Sequence, residues 1–243
     1  KENQDKFLEM AKEFIEKINN YEEIFLNAEK LKEYTNGYWI NEDLSQNYKY
    51  IGTHGSYYSG DVYFATIIEQ WQKDGKDIKQ ELLKCQNKGI RAIVIDSTKY
   101  IKDLSIPVLV VDDVQKAFED TAKGVRQDVN PKTVLLTGTE GKTGSKIQLY
   151  YLLKNQAKTH AYLDSSNTGI PIFKSLATME EDLEIELNEF SVDANEDKTT
   201  SRAKIVNPDL CFFSNISSEH MHVHGSLEGV ISHKSAVIEG IRE

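Results

Sequence analysis

Short apolar runs alternating with helix-length amphipathic stretches constrain this chain more than any other feature. RAIVIDS (91–97), IPVLVVDD (106–113), TVLLTGT (133–139), THAYLDS (159–165), LEIELNEFS (183–191) and PDLCFFSNIS (208–217) read as strands. Between them lie IKQELLKCQNKG (78–89), closed by Gly89, and helices expected from 114 to about 127, from about 142 to 154, and from about 225 to the end. Strands that alternate with helices predict a mixed or parallel α/β layer rather than a sandwich. Upstream, the turn text THGSYYSG (53–60) feeds a further strand, DVYFATI (61–67). Phe7, Leu8, Ala11, Phe14, Ile15 and Ile18 fall at helical spacing, which predicts a surface helix near the N-terminus. Asn130 and Pro131 interrupt the pattern, so a boundary is expected near 128–132. This divides the chain into an N-terminal helical extension (1–50), a first α/β unit (51–130) and a second (131–243). NEDKTTSRAK (195–204) is polar enough to be expected as a mobile loop, and no internal repeat or low-complexity tract is seen.

Charge and cysteine content narrow the function classes. The formal net charge is −10, whereas a sequence-independent grip on nucleic acid or on an anionic membrane needs a positive surface, so any anionic ligand must be held locally. With 243 residues, 39% of them hydrophobic, the chain has enough apolar material for one large core or two smaller ones. Cys85 and Cys211 lie in different segments beside apolar neighbours, which argues against a disulfide framework or a structural zinc site and for a reducing, cytoplasmic setting. No run of about 18 apolar residues marks a membrane span, and the charged start KENQDKFLEM lacks a signal-peptide core.

Three constellations carry chemistry. In TGTEGKT (137–143) a strand runs into a glycine loop ending in lysine and threonine. The general phosphate-loop rule asks for a glycine five residues before the Gly-Lys pair, and that position is Leu136. What remains is still suited to phosphate. Gly138 and Gly141 let backbone N–H groups face inward, a helix N-terminus adds partial positive charge, Lys142 reaches a phosphate oxygen and Thr143 ligates magnesium. An ordinary strand-to-helix turn is the equally weighted alternative. Next, His220, His222 and His224 alternate, so on a regular strand they would share a face as a three-histidine metal site; a single functional histidine with two surface neighbours is the favoured reading. In LEIELNEF, Glu184 and Glu186 share a face and Glu189 follows, a place where an α/β sheet sets a magnesium carboxylate, although acids on a strand are more often solvated than metal-binding.

Together these stretches resemble the Mur ligase family, the ATP-dependent ligases that add amino acids or dipeptides to peptidoglycan precursors. GDVYFAT (60–66), DGKDI (74–78) and KGIRAIVIDS (88–97) resemble the family's N-terminal domain, and TGTEGKT its own phosphate loop. SSNTGIP (165–171) is similar to a turn of the D-alanyl-D-alanine-adding member; the diaminopimelate- or lysine-adding members are the other near match. IELNEF (185–190) resembles the magnesium-glutamate strand, and SNISSEHMHVHGSLEGVISHK (214–234) the asparagine, histidine and lysine segment that completes the metal site. The fold implied is α/β, an N-terminal Mur-type domain followed by a P-loop central ATPase domain with a mostly parallel sheet.

The resemblance implies ATP and Mg2+ as cofactors. Gly138, Thr139, Glu140, Gly141, Lys142, Thr143 and Asn215 would line the nucleotide; Thr143, Glu186, His220 and Lys234, the last as a carbamate, would serve the metal. Lys142, His220 and Lys234 would be the catalytic set. The implied reaction is amide formation through an acyl phosphate, between a small-molecule acceptor carboxylate and an amino acid or dipeptide. Where the family carries an acidic or threonine-arginine element for a uridine nucleotide, this chain has IGTHGSYYSG (51–60), so the acceptor stays open. The resemblance stops inside the central domain, and the chain is expected to be a fragment whose site a C-terminal domain completes. Two other classes compete. A degenerate binding module predicts that Glu186 and Lys234 turn away from the Lys142 loop, and a metal-dependent hydrolase predicts that His220, His222 and His224 converge on one ion.

Overall fold

The computed structural model describes residues 25–41, 45–53, 60–161, 169–192, 196–217 and 226–242. Within them the alternation of strands and helices builds two sheets. The first part runs α1 (Ala28–Thr35), β1 (Tyr38–Ile40), β2 (Ile51–Thr53), β3 (Val62–Phe64), α2 (Ile68–Lys73), α3 (Ile78–Asn87), β4 (Ala92–Ile95), β5 (Val108–Val110) and α4 (Val114–Val129). Its strands lie in the order β1-β5-β4-β3-β2, with β2 to β5 parallel and β1 antiparallel at the edge. Every residue of β3 and β4 is buried, as expected for parallel strands covered on both faces. The helix expected over residues 7–18 lies outside the described residues. The rest of the span read as a helical extension is not all helix: Asn36, at φ 52, turns the chain out of α1, and Tyr38, Trp39 and Ile40 pair with Val110, Leu109 and Val108. Three residues are too few for an alternation to announce a strand.

The second part runs β6 (Lys132–Thr137), α5 (Lys142–Leu153), β7 (Thr159–Ala161), α6 (Gly169–Ala177), β8 (Ile185–Glu189), α7 (Glu196–Val206), β9 (Leu210–Phe213) and α8 (Leu227–Ser235), then a 3-10 turn at Ala236–Gly240. All four strands are parallel, in the order β7-β8-β6-β9. From Glu196 on, the polar stretch expected as a loop is instead the body of α7. Thr199, Ala203 and Val206 recur at helical spacing and are fully buried, and the helix packs against the turn Ala236–Gly240. A threonine and an alanine supply part of that inward face, which hides it from a count of large apolar residues.

One apolar cluster joins the two sheets. Val62, Phe64 and Val94 from the first meet Phe118 of α4, and Phe173 of α6 and Leu135 of β6 continue it into the second. Phe118 lies 5.2 Å from Phe64 and 5.9 Å, edge-on, from Phe173, centroid to centroid. On its other face the second sheet packs Leu136, Ala161 and Leu187 beneath Leu149 and Leu153 of α5. The two faces of β8 therefore look at different helices, which decides where its carboxylates go.

Candidate active site

The segment between β6 and α5 crosses at the C-terminal end of the second sheet, where parallel α/β folds place ligands. Gly138 has φ 143 and Gly141 φ 79, both in the region that excludes most side chains. A Cβ at Gly138 would also lie 2.1 Å from Ser214 Oγ and 2.9 Å from the Asn215 carbonyl, so only glycine fits. Helices α1, α3, α4 and α8 start with a side chain accepting from a first-turn N–H: Asn27, Asp77, Asp113 and Ser226. Helix α5 starts on Gly141 with no side-chain cap, which leaves its first-turn N–H groups available to an anion.

The segment after β9 fixes the loop. Thr139 N donates to the Asn215 carbonyl at 3.0 Å, Glu140 N to Asn215 Oδ1 at 2.8 Å, and Ser217 N to Thr139 Oγ1 at 3.0 Å. Two ammonium groups converge on the Gly138 carbonyl: Lys142 Nζ at 2.9 Å and Lys234 Nζ, from α8, at 3.0 Å. Lys142 also donates to the Thr139 carbonyl at 2.8 Å. Lys234 is only 8% exposed. The structure thus brings together Gly138, Thr139, Glu140, Gly141, Lys142, Thr143, Asn215 and Lys234.

Glu186 is not among them, and this corrects the expected metal set. Thr143 Oγ1 donates instead to both carboxylate oxygens of Glu189, at 2.9 and 2.8 Å, and Lys146 Nζ lies 3.1 Å from Glu189 Oε2 with both side chains almost fully buried. The reason is strand parity. Ile185, Leu187 and Glu189 share the α5 face, whereas Glu186 points to the other side. There it is fully buried, accepting from Ser175 Oγ of α6 at 2.7 Å and meeting His160 Nδ1, its cross-strand neighbour on β7, at 2.7 Å. Burial works against charge on His160, but the Glu186 carboxylate, with help from Glu180, outweighs it and raises the imidazole above its ordinary range. Glu189 could have been found by its parity with Leu187 and its place as the last residue of the strand.

His220, His222 and His224 lie outside the described residues. Among the described residues no three His, Cys, Asp or Glu side chains form a metal-binding group. Thr143 and Glu189 offer a hydroxyl and a carboxylate side by side, which suits magnesium, an ion that takes one or two protein oxygens and completes its shell from phosphate and water. No helix among the described residues is long and apolar enough to cross a membrane.

Residues 136–243 match the Mur ligase middle domain family. The UDP-N-acetylmuramoyl-tripeptide–D-alanyl-D-alanine ligase of Bacillus subtilis is 27% identical over 197 residues, covering 74% of this chain and 43% of the relative. That of Haemophilus influenzae is 28% identical over 187 residues, covering 75% and 39%. The chain spans about two fifths of the length of the curated relatives it matches. Among solved structures, MurF from Acinetobacter baumannii superposes with a TM-score of 0.72 at 24% identity over 89% of this chain and 46% of that one. MurF ligase from Thermotoga maritima in complex with ADP gives 0.53 at 22% identity, over 70% and 39%.

Proposed function

Residues 136–243 belong to the Mur ligase family as its middle domain, and on that premise we propose that the chain is the nucleotide-binding part of an ATP-dependent carboxylate-amine ligase. The observation that carries this reading is the contact of Thr143 with Glu189 directly beneath an uncapped, glycine-built helix start. The loop N–H groups and Lys142 hold the ATP phosphates, Asn215 sets the loop from behind, and Thr143 with Glu189 hold Mg2+. Bound there, the ion would offset negative charge on the transferring phosphoryl group. Lys234, drawn onto the Gly138 carbonyl, fixes the loop; its carbamylation, with His220 as a companion metal ligand, is the finer form of the proposal and is read by incorporation of labelled bicarbonate.

In the reaction proposed, an acceptor carboxylate oxygen attacks the γ-phosphorus of ATP and ADP leaves. The incoming amine then attacks the acyl carbon, inorganic phosphate leaves, and the amine's proton passes to a base or to water. The named activity of the relatives suggests a UDP-N-acetylmuramoyl-tripeptide as acceptor and D-alanyl-D-alanine as amine. In this reading residues 51–130 form the acceptor domain, 131–243 the ATPase domain and 1–50 an N-terminal extension, working in the cytoplasm. The test is ADP release that depends on both acceptor and amine, together with Mg2+-dependent ADP binding. Lys142→Ala should abolish both, and unchanged release would refute the assignment.

A further inference from the structure

Lys146 lies one helical turn beyond Lys142 on α5 and is only 1% exposed. Thr143 and Lys146, three positions apart, share a helix face, and both meet Glu189 at the end of β8. Lys146 Nζ is 3.1 Å from Oε2, while Thr143 Oγ1 donates to Oε1 at 2.9 Å and to Oε2 at 2.8 Å. One buried carboxylate is thus held between a hydroxyl and an ammonium.

The charges gathered at this loop disfavour a cation on its own. Lys146 balances Glu189, and Lys142 and Lys234 bring two further ammonium groups to the Gly138 carbonyl. The uncapped start of α5 adds partial positive charge, and Glu140, the acid within the loop itself, is exposed. Three ammonium groups around one buried carboxylate suit a polyphosphate. They do not suit bare Mg2+, which needs anionic oxygens to replace its tightly held water. A buried ion pair is also a weak source of stability, because desolvation offsets most of its attraction. Its placement beneath the loop therefore calls for a role in binding.

Resting on the ligase reading, we propose that Lys146 is the internal counter-ion of the metal carboxylate. By neutralising Glu189 it keeps the site from taking up Mg2+ alone, so the ion binds together with the nucleotide, whose phosphates supply the missing negative charge. Lys146 is a positioning residue that acts through Glu189. The coupling is reciprocal: the factor by which ADP tightens metal binding is the factor by which the metal tightens ADP binding.

Mn2+ is the probe, its free fraction read by electron paramagnetic resonance without nucleotide, in bicarbonate-free buffer that leaves Lys234 an amine. Lys146→Met and Lys146→Gln should bind Mn2+ about tenfold or more tighter than the wild type, and Lys146→Arg, which keeps the charge, should stay within about threefold of it. Adding Glu189→Gln to Lys146→Gln should remove the gain. A gain in affinity cannot come from a damaged fold, and where the methionine variant fails to fold the glutamine variant, which keeps an amide donor for Glu189, carries the test. Mg2+ alone should raise the thermal midpoint of the neutral variants, whereas the wild type should respond to Mg2+ only when ADP is present. Unchanged Mn2+ affinity in the neutral variants, an equal gain in Lys146→Arg, or wild-type uptake of Mn2+ as tight without ADP as with it would each overturn the proposal. Mg2+-dependent ADP binding by the wild type tests the ligase reading separately. If that binding is present and the neutral variants show no gain, the counter-ion role alone falls; if it is absent, the reading beneath it falls.

Discussion

Glu186 and Glu189 are three residues apart on one strand, and the isosteric changes Glu186→Gln and Glu189→Gln tell which of them serves the nucleotide site. Glu189 faces Lys146 at 3.1 Å, with side chains 2% and 1% exposed. Removing one charge of a pair so deeply buried costs about 3 kcal/mol or more, since the other is left as an uncompensated buried charge. Glu186 is equally buried, but its partner His160 is about one third exposed and becomes neutral by losing one proton. The glutamine there keeps acceptor and donor for Ser175 and the imidazole, so about 1–2 kcal/mol is expected. Urea denaturation measures both, and Glu189→Gln with Lys146→Met should recover much of the single-variant loss because no buried charge then remains. The functional readout runs the other way from a general stability effect. Mg2+-dependent ADP binding, measured well below the unfolding transition, should fall about tenfold or more in Glu189→Gln and stay within about twofold in Glu186→Gln. An equal loss in Glu186→Gln would refute the parity argument and return the metal to the residue first expected from the motif.

Other consequences follow from single contacts. Gly138→Ala places a methyl 2.1 Å from Ser214 Oγ at φ 143 and should cost about 1–3 kcal/mol in thermal or urea unfolding while abolishing ADP binding. Phe118→Ala removes the ring between Phe64 and Phe173 and should destabilise by about 3–5 kcal/mol, with both sheets melting in one transition because they share that cluster. His160 is raised above 6.5 in the folded chain, so its charged pairing with Glu186 contributes fully below the unfolded value and is lost as pH rises through the folded one. Wild-type stability should decline across that window and Glu186→Gln should flatten the decline, as followed by urea midpoints at a series of pH values.

The fold was legible wherever the apolar period was unambiguous. The runs 91–97, 106–113 and 133–139 became β4, β5 and β6, and the helix expected from 114 to about 127 is Val114–Val129, capped by Asp113 and ended by Asn130 at φ 53. The glycine turn between β6 and α5 was legible because its backbone demands glycine, as Gly138 shows against Ser214. Helix α7 was not, because Thr199 and Ala203 carry its buried face. Strand β1 was not, since its three residues acquire meaning only from pairing with β5. The latch by Asn215 and the approach of Lys234 join residues 75 and 96 positions from their partners. Local chemistry alone names such residues without saying that they meet.

The glutamates show the same limit in a form physics could have resolved. A motif fixes a residue by its neighbours in the chain, but a strand sends successive side chains to opposite faces, so an offset of three residues changes the helix that a carboxylate meets. Leu187 must face the apolar underside of α5, and Glu189 shares its parity at the end of the strand, beside the loop. Glu186 must then face α6. There Ser175 and His160 satisfy its buried carboxylate. One five-residue strand thus carries two buried carboxylates on opposite faces, each with its own partners. The cation beside each carboxylate sets what its loss would do: removing Glu189 leaves Lys146 as an uncompensated buried charge, whereas His160 makes the contribution of Glu186 fade as the imidazole gives up its proton.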